Sequence, residues 1–395
     1  MIQPRVKHVY DLAVVGAGPA GAAAALSALR TKPDARVLLL DRSAFPRDKA
    51  CGDGIAPHAL DELARLGAAE VLADRVAIRR LRLISARGTE AETLLQRPDV
   101  VVPRTVFDAR LVELAVARGA ELRQQNIRSV TQQHDRVLID GSLEARVVIG
   151  ADGANGVVRR SLGLSRQGDG STAVAVRGYI DFPTSDPEQL IVMDGRNWPA
   201  YAWRFDAGDG TSNVGFGLLL SSLRALGHGK RILEERMVEL LPEAANARDL
   251  RSHHLPLSTS RPLQPSGRVL LAGDAASLVN PLTGEGIFYA LLSGRLAGAC
   301  AVNQADAGTA YAEALNAELG RHLSHTTLLA RITARERVLD AGLRAVKRSP
   351  AAMDALVDVG LGRGLITAPL VRGLAREAAG SLRRRASAGP RPLSR

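Results

Sequence analysis

A glycine-rich turn near the N-terminus constrains the fold of this chain more than any other feature. The apolar run from Val9 to Val15 ends in Gly16-Ala17-Gly18-Pro19-Ala20-Gly21, an Ala-rich helical stretch follows, and the next apolar run closes on Asp41. Strand, tight turn, helix and strand form a βαβ unit. Its three glycines allow the turn, the close approach of a pyrophosphate and helix–strand packing, while Asp41 suits the ribose hydroxyls. This context favours a dinucleotide site over a ligand-free loop, with candidate contacts at Gly16, Gly18, Ala20, Gly21 and Asp41.

Two later segments repeat this combination of glycine and acid. Gly150-Ala151-Asp152-Gly153 follows a predicted strand, where Asp152 either lies near the dinucleotide or serves turn chemistry alone. Gly273-Asp274 follows another strand, and Asn280-Pro281-Leu282-Thr283-Gly284-Glu285-Gly286-Ile287 then opens a long helix. A helix start stabilises negative charge, which reduced flavin carries. We therefore expect Asp274 to bind a ribityl hydroxyl, and Gly284 and Gly286 to present backbone N–H groups to a flavin.

The order and content of these motifs resemble the flavoprotein superfamily that includes the aromatic-ring hydroxylases, over roughly residues 10–299. The segment Phe45-Pro46-Arg47-Asp48-Lys49-Ala50-Cys51-Gly52-Asp53-Gly54-Ile55 resembles the lysine–cysteine–glycine signature of the geranylgeranyl reductase family, and Arg104…Asp108 is similar to its R-x-x-F-D pair. The resemblance implies FAD as the cofactor and reduction of isolated double bonds in polyprenyl chains as the activity. It implies FAD contacts at Asp41, Cys51, Gly52, Gly54, Arg104, Asp274, Gly286 and Ile287.

The chain departs from the family pattern at two places. Ala50-Cys51-Gly52-Asp53 stands where the family often has Pro-Cys-Gly-Gly, and Tyr201-Ala202-Trp203-Arg204-Phe205 ends in Asp206 where the family commonly has proline. The related flavin halogenase motif lacks its first tryptophan and its proline here, which argues against a halogenase. Tyr201 and Trp203 wall a prenyl pocket, or form one face of a core, because alternating aromatic residues on a strand fit both.

Cys51 is the candidate catalytic residue. In one interpretation it relays a proton during alkene reduction, and in the other it is a small residue packed against the cofactor, as free cysteines often are. Arg104 either holds the cofactor or pairs with Asp108. No His cluster has metal-ligand spacing, so we expect no metal, and Cys300 on a helix is expected to serve packing.

The pattern of elements predicts an α/β protein with a Rossmann-like FAD-binding domain assembled from separated segments, an inserted mixed-sheet substrate domain and a helical C-terminal region. We predict the FAD-binding domain over 1–75, 100–170 and 262–325. The substrate domain is predicted over 76–99 and 171–261, and the helical region over 326–380. The segment 381–395 is rich in Arg, Ser, Pro and Gly and is expected to be disordered.

The formal net charge of +11 raises the question of an acidic partner. The charge is spread along the chain without aromatic interleaving, so nucleic-acid binding is not expected. Neither an apolar signal core nor a membrane-spanning run is present, which predicts a cytoplasmic protein. An amphipathic face in the C-terminal third either completes the core, covers a lipid tunnel or rests on a membrane surface. The sequence leaves the oligomeric state open.

Three functional interpretations remain at this stage. The first is a prenyl-chain reductase, and the second is an FAD monooxygenase that hydroxylates or epoxidises a natural product, since the shared superfamily motifs serve both. The third is a non-enzymatic flavin protein, which the intact motifs disfavour. No second dinucleotide fingerprint is present, so NAD(P)H docks transiently or another reductant, such as a ferredoxin, serves as electron donor. The expected substrate is a hydrophobic small molecule, either an isoprenoid or a natural product.

Overall fold

A computed structural model describes residues 9–366 apart from 197–198, 228 and 304, and for residues 336 and 337 it describes the backbone alone. The strands are β1 Tyr10–Val15, β2 Val37–Asp41, β3 Gly54–Ile55, β4 Ile78–Ile84, β5 Glu90–Val101, β6 Glu121–Gln124, β7 Val130–Gln132, β8 Val137–Ile139, β9 Leu143–Gly150, β10 Thr172–Asp181, β11 Glu188–Met193, β12 Ala200–Asp206, β13 Thr211–Leu219, β14 Arg248–Pro256 and β15 Val269–Leu271. The helices are α1 Pro19–Thr31, α2 Pro57–Leu66, α3 Arg104–Ala117, α4 Val157–Ser161, α5 Leu220–Ala225, α6 Arg231–Leu240, α7 Ile287–Asn303, α8 Ala307–Thr333, α9 Glu336–Lys347 and α10 Pro350–Leu361.

A seven-stranded sheet forms the nucleotide-binding half of the molecule. Its order is β6-β2-β1-β9-β8-β7, and β15 lies parallel to the last residues of β9. The central strands are buried along most of their length, because helices cover both faces of such a parallel sheet. The carboxyl ends of β1, β2, β9 and β15 lie at one edge. This arrangement brings three glycine-containing turns together there, although they are far apart in the sequence.

An eight-stranded mixed sheet forms the second half, in the order β14-β10-β13-β12-β11-β4-β5-β3. Its neighbours are antiparallel except for β11 and β4, which are parallel. The short β3 continues this sheet directly after the cysteine-containing segment and pairs with the end of β5. The loop of residues 45–53 therefore lies between the two sheets.

Helices α1 and α7 pack in backbone contact against the first sheet. A Cβ added at Gly294 would lie 2.2 Å from the Ala20 carbonyl oxygen, and one at Gly298 would lie 2.1 Å from the Ala24 carbonyl oxygen. Only glycine permits such an approach, and the run of alanines on α1 extends it. The contact places the start of α7 beside the first glycine turn.

The C-terminal helices α9 and α10 cover the second sheet. Leu343, Val346 and Met353 pack with Leu81 and Leu83 of β4 in one buried apolar cluster. None of the helices in the described ranges is long and apolar enough to cross a membrane. As far as the described residues extend, the apolar side chains of α9 and α10 thus face the second sheet.

The predicted fold class is confirmed, with a Rossmann-like half built from separated segments, a mixed sheet and a helical C-terminal region. All strands of the seven-stranded sheet come from 1–75, 100–170 and 262–325, while β3 of the first segment joins the other sheet. Helix α8 runs across the predicted boundary at 325–326. The predicted disordered tail 381–395 and the part of 326–380 beyond residue 366 lie outside the described residues.

The contact between α1 and α7 makes Gly298 sensitive to a single methyl group. We expect Gly298→Ala to lower the free energy of unfolding by about 1–3 kcal/mol, because the added carbon overpacks against the α1 backbone. At a solvent-exposed position in a helix, the same change would raise the free energy of unfolding by up to about 1 kcal/mol. Urea unfolding measures the difference. Gly168→Ala is the control, since nothing lies within 4 Å of a Cβ at that position; equal stability of the two variants would contradict the packing argument.

Candidate functional site

One cavity of about 1410 Å³ runs between the two sheets. Gly21 does not line it. A Cβ added at Gly21 would lie 1.8 Å from the Gly16 carbonyl oxygen, so this glycine serves to pack the turn against α1. Every other candidate site residue lines this cavity: Gly16, Gly18, Ala20, Asp41, Cys51, Gly52, Gly54, Arg104, Asp152, Tyr201, Trp203, Asp274, Gly284, Gly286 and Ile287. The fold thus brings together residues from five separate parts of the sequence.

The first glycine turn has the geometry that its sequence requires. Gly16 has a φ of +101°, a conformation that other residues rarely adopt. The Asp41 carboxylate accepts hydrogen bonds from the N–H groups of Ala17, at 2.9 Å, and Ser43, at 2.9 Å. These bonds fix the carboxylate at the end of β2, at the edge of the cavity where a ribose would bind.

The loop of residues 45–53 is held by charges that pair with different elements. Arg47 lies 3.3 Å from Asp108 on α3, and the Asp48 carboxylate is bound by Arg177 of β10 and by Arg251 of β14. These ion pairs connect the loop to both halves of the molecule. They hold its backbone against the cavity.

Lys49 continues this pattern toward the third glycine turn. Its ammonium lies 2.8 Å from Asp274, and His253 Nε2 lies 4.0 Å from the same carboxylate. Burial alone would raise the pKa of Asp274, but the Lys49 ammonium outweighs it and holds the pKa below its usual value. Burial lowers the pKa of His253. Asp274 is therefore an ionised acceptor at the cavity wall.

Cys51 lies at the centre of the loop and is half-buried. Its Sγ accepts a hydrogen bond from the Asp53 N–H at 3.4 Å. Burial raises the pKa of the thiol, although the nearby Arg104 guanidinium opposes the shift. Arg104 itself makes a bidentate pair with Asp108, at 2.6 and 2.8 Å, while also lining the cavity. Cys51 is thus a neutral thiol beside a structural cation.

The aromatic side chains of β12 form one wall of the cavity, with Tyr201, Trp203 and Phe205 on the same face. Ring centroids are 6.0 Å apart between Tyr201 and Trp203, and 6.4 Å apart between Trp203 and Phe205. The Trp203 indole N–H donates to Asn213 at 2.8 Å, and the Tyr201 hydroxyl donates to the Thr283 carbonyl. The wall therefore spans from the cysteine loop to the turn before α7.

Among the described residues, three polar atoms in the cavity wall are buried without a hydrogen-bond partner: Arg47 Nε, Asp152 Oδ1 and His253 Nε2. The other Asp152 oxygen accepts from the Val158 N–H at 3.0 Å. Such unpaired atoms are costly without a ligand. A Cβ at Gly18 would meet the Arg47 guanidinium at 3.2 Å, so only glycine leaves the backbone open to a phosphate beneath that cation. This set of donors, acceptors and cations fits a dinucleotide.

Comparison with known proteins decides the family. Residues 9–200 match the model of an FAD binding domain. The menaquinone reductase of Mycobacterium tuberculosis is 35% identical over 372 residues, which cover 88% of this chain and 90% of that protein. Digeranylgeranylglycerophospholipid reductase 1 of Methanopyrus kandleri is 33% identical over 308 residues, covering 74% and 80%. The chain belongs to the geranylgeranyl reductase family.

The fold of this family member is also found among solved structures. A geranylgeranyl bacteriochlorophyll reductase-like protein from Thermoplasma acidophilum superposes with a TM-score of 0.75 at 19% identity, covering 95% of this chain and 98% of that one. As a member of the geranylgeranyl reductase family, the protein is an FAD-dependent oxidoreductase. Bound FAD would supply hydride chemistry, and the residues above would hold it.

The sequence analysis did not identify three acidic residues in or beside the cavity wall as site residues: Asp53, Asp99 and Glu285. Asp53 is fully buried with φ +62°, and its carboxylate accepts from Tyr179 at 2.6 Å and Asn213 at 2.8 Å. Burial, the main cause, raises the pKa of Asp53 to about 6. One sequence feature could have indicated Asp53: it stands where the family has its second glycine. A left-handed backbone position suits glycine, asparagine or aspartate.

Asp53 makes the stability of the protein depend on pH. Because the pKa of Asp53 is higher in the folded protein than in the unfolded chain, the protonated Asp53 contributes to the free energy of unfolding below about pH 4. This contribution is lost as the pH rises through about 6. Asparagine keeps the left-handed backbone and the acceptor oxygen but cannot ionise. We therefore expect the free energy of unfolding of Asp53→Asn to rise by about 3 kcal/mol relative to that of the wild type between pH 4 and pH 7. Urea unfolding at each pH gives the two curves, and parallel curves would disprove the assignment.

Proposed function

We propose that this FAD-dependent oxidoreductase reduces carbon–carbon double bonds in a polyprenyl chain, such as the tail of a prenylated quinone. The main observation is the length of the cavity. From the flavin-binding turns it continues past the aromatic wall into an apolar compartment lined by Leu81, Leu83, Ile191, Met193, Leu343, Val346, Met353 and Leu356. A volume of about 1410 Å³ exceeds the roughly 300–1,000 Å³ of ordinary ligand pockets, as a dinucleotide together with a long apolar chain requires.

The relatives support this substrate class. Their names refer to menaquinone and to digeranylgeranylglycerophospholipid, and both compounds carry isoprenoid chains. The aromatic wall marks the junction between the flavin turns and the apolar compartment. A double bond threaded through the compartment would reach the flavin at this wall, where the hydride is delivered.

The cavity opens near the end of α8. Ile332 and Val338 line it and are also 46% and 36% exposed, next to Leu328, which is 51% exposed. Exposed apolar residues beside an opening support entry of a lipid-like substrate from a membrane surface. The predicted peripheral membrane contact stays a prediction. The proposed electron donor is NAD(P)H or another diffusible reductant.

The activity is tested anaerobically. The FAD-loaded protein is reduced with dithionite, freed of excess reductant, and mixed with a menaquinol or a prenyl diphosphate, neither of which has a quinone ring that could accept the electrons. We expect the substrate to reoxidise the flavin and to gain two hydrogens per reduced double bond, as seen by mass spectrometry. If the flavin reoxidises only with oxygen, and the substrate gains an oxygen atom instead, the monooxygenase alternative holds and the proposal is wrong.

The apolar compartment predicts a dependence on chain length. Val357 is part of the cavity lining on α10, so Val357→Phe should shorten the space available to the tail. We expect kcat/KM for long-tailed substrates to fall about tenfold to a hundredfold, while short-tailed substrates are affected little. Ala351→Phe, on an exposed position of the same helix, is the control. Equal losses for short and long tails would place the tail elsewhere.

A further inference from the structure

Two carboxyl groups, the buried Asp99 and the half-buried Glu285, lie where the cavity passes from the flavin turns to the apolar compartment. Glu285 stands between Gly284 and Gly286, directly before α7, and Asp99 lies on β5 near the shift in its pairing with β4. Both line the cavity. Their positions come from opposite halves of the molecule, and the two carboxyl groups interact electrostatically across the gap.

Asp99 has the more unusual environment. Its side chain is only 1% exposed, and its Oδ1 has no hydrogen-bond partner among the described residues. The neutral side chain of Gln189 on β11 lies beside this carboxyl. A Cβ at Gly54 of β3 would lie 3.6 Å from the Gln189 amide nitrogen, so Gln189 lies between Asp99 and the strand that follows the cysteine loop. A buried oxygen without a partner in a cavity wall indicates a group that acts on a ligand.

Among the described residues, no buried cation neutralises either carboxyl group. Glu285 accepts a hydrogen bond from the Phe288 N–H at 2.7 Å, and its charge also acts on the Tyr201 and Tyr289 hydroxyls. Burial, together with the charge of Glu285, raises the pKa of Asp99 to about 8, and the Arg97 guanidinium opposes this weakly. Burial raises the pKa of Glu285 to about 7. Two such groups share at least one proton at neutral pH.

We propose that Glu285 and Asp99 form the proton-donating pair for alkene reduction, a role that rests on the proposed function. Reduction of an isolated double bond requires a hydride at one carbon and a proton at the other. The reduced flavin, recharged by a two-electron reductant, supplies the hydride and both electrons. Glu285, at the flavin turn, gives its proton to the second carbon and is left as a carboxylate. Asp99 holds a further proton that restores it, and solvent finally replaces that proton.

This assignment differs from the role considered for Cys51. An isolated alkene is a poor hydride acceptor, so transfer depends on protonation, and a stronger acid assists more. Burial raises the pKa of the Cys51 thiol further above its ordinary value, whereas both carboxyl groups remain stronger acids. The aromatic wall, which begins at Tyr201 near Glu285, stabilises the positive charge that develops on the alkene. Cys51 then serves to pack against the cofactor.

The test uses Glu285→Gln, Asp99→Asn and Cys51→Ala in the FAD-loaded protein. The control is Glu62→Gln, a buried carboxylate outside the cavity lining that is paired with Arg295 of α7. Absorbance first confirms bound FAD in each variant. Anaerobic single-turnover mixing of the dithionite-reduced protein with a menaquinol, whose ring is already reduced, then gives the rate of hydride transfer to the double bond. We expect Glu285→Gln to slow this rate by about a hundredfold or more, Asp99→Asn by about tenfold, and the other two variants little.

Infrared spectroscopy gives a second measurement that does not depend on turnover. The carbonyl stretch of neutral carboxylic acids should be present at pH 6 and lost as the pH rises through about 7 to 8. It should weaken in Glu285→Gln and Asp99→Asn and remain in Glu62→Gln. Unchanged bands, or wild-type rates in Glu285→Gln, would overturn the pair. If the wild type reduces no prenyl substrate, the proposed function itself fails, while the infrared bands still report whether the pair holds its protons.

Discussion

The backbone contact between α1 and α7 is the packing constraint on which the assembly of the site depends. Each helix begins at a turn that faces the cavity, and Gly294 and Gly298 let the two helices approach with no side chain between them. Because Gly294, the eighth residue of α7, lies against Ala20, the second residue of α1, the turns before the two helices keep a fixed separation. A single extended cofactor can therefore bind both turns at once, without a movement of the fold.

A second constraint is electrostatic. The loop of residues 45–53 carries Arg47, Asp48, Lys49 and Asp53, and their partners lie on α3, on β10 and in the turn after β15. Partly buried ion pairs contribute little net stability but are costly to break, since removal of one partner leaves a charge without compensation. The loop is thus held in one position between the two sheets. That position presents the Cys51–Gly52 backbone to the cofactor.

Much of the fold and of the candidate site was predictable because it depends on residues that are neighbours in the sequence. The first turn, with Asp41 at the end of β2, follows from residues close together in the sequence. The end of α2 at Gly67 has the same local origin, since glycine suits the left-handed φ of +65° there. The burial of Asp99 was not predictable from the sequence. It depends on how β5 pairs with β4, and on Glu285 being placed across the cavity, just before α7. Helix α6 was also missed, because its buried Arg236 pairs with Asp194 and so interrupts the expected apolar face.

The interleaving of the first sheet has a consequence for biosynthesis. The strands β1, β2 and β9 are complete early in translation, yet β15 and the helix that covers α1 belong to the last third of the chain. Until that part leaves the ribosome, the carboxyl end of β9 and the alanine-rich face of α1 stay uncovered. Pairing over such sequence separations is slow and exposes apolar surface. The nascent chain therefore exposes this apolar surface through most of its synthesis, and the cavity is complete only after β15 and α7 have docked.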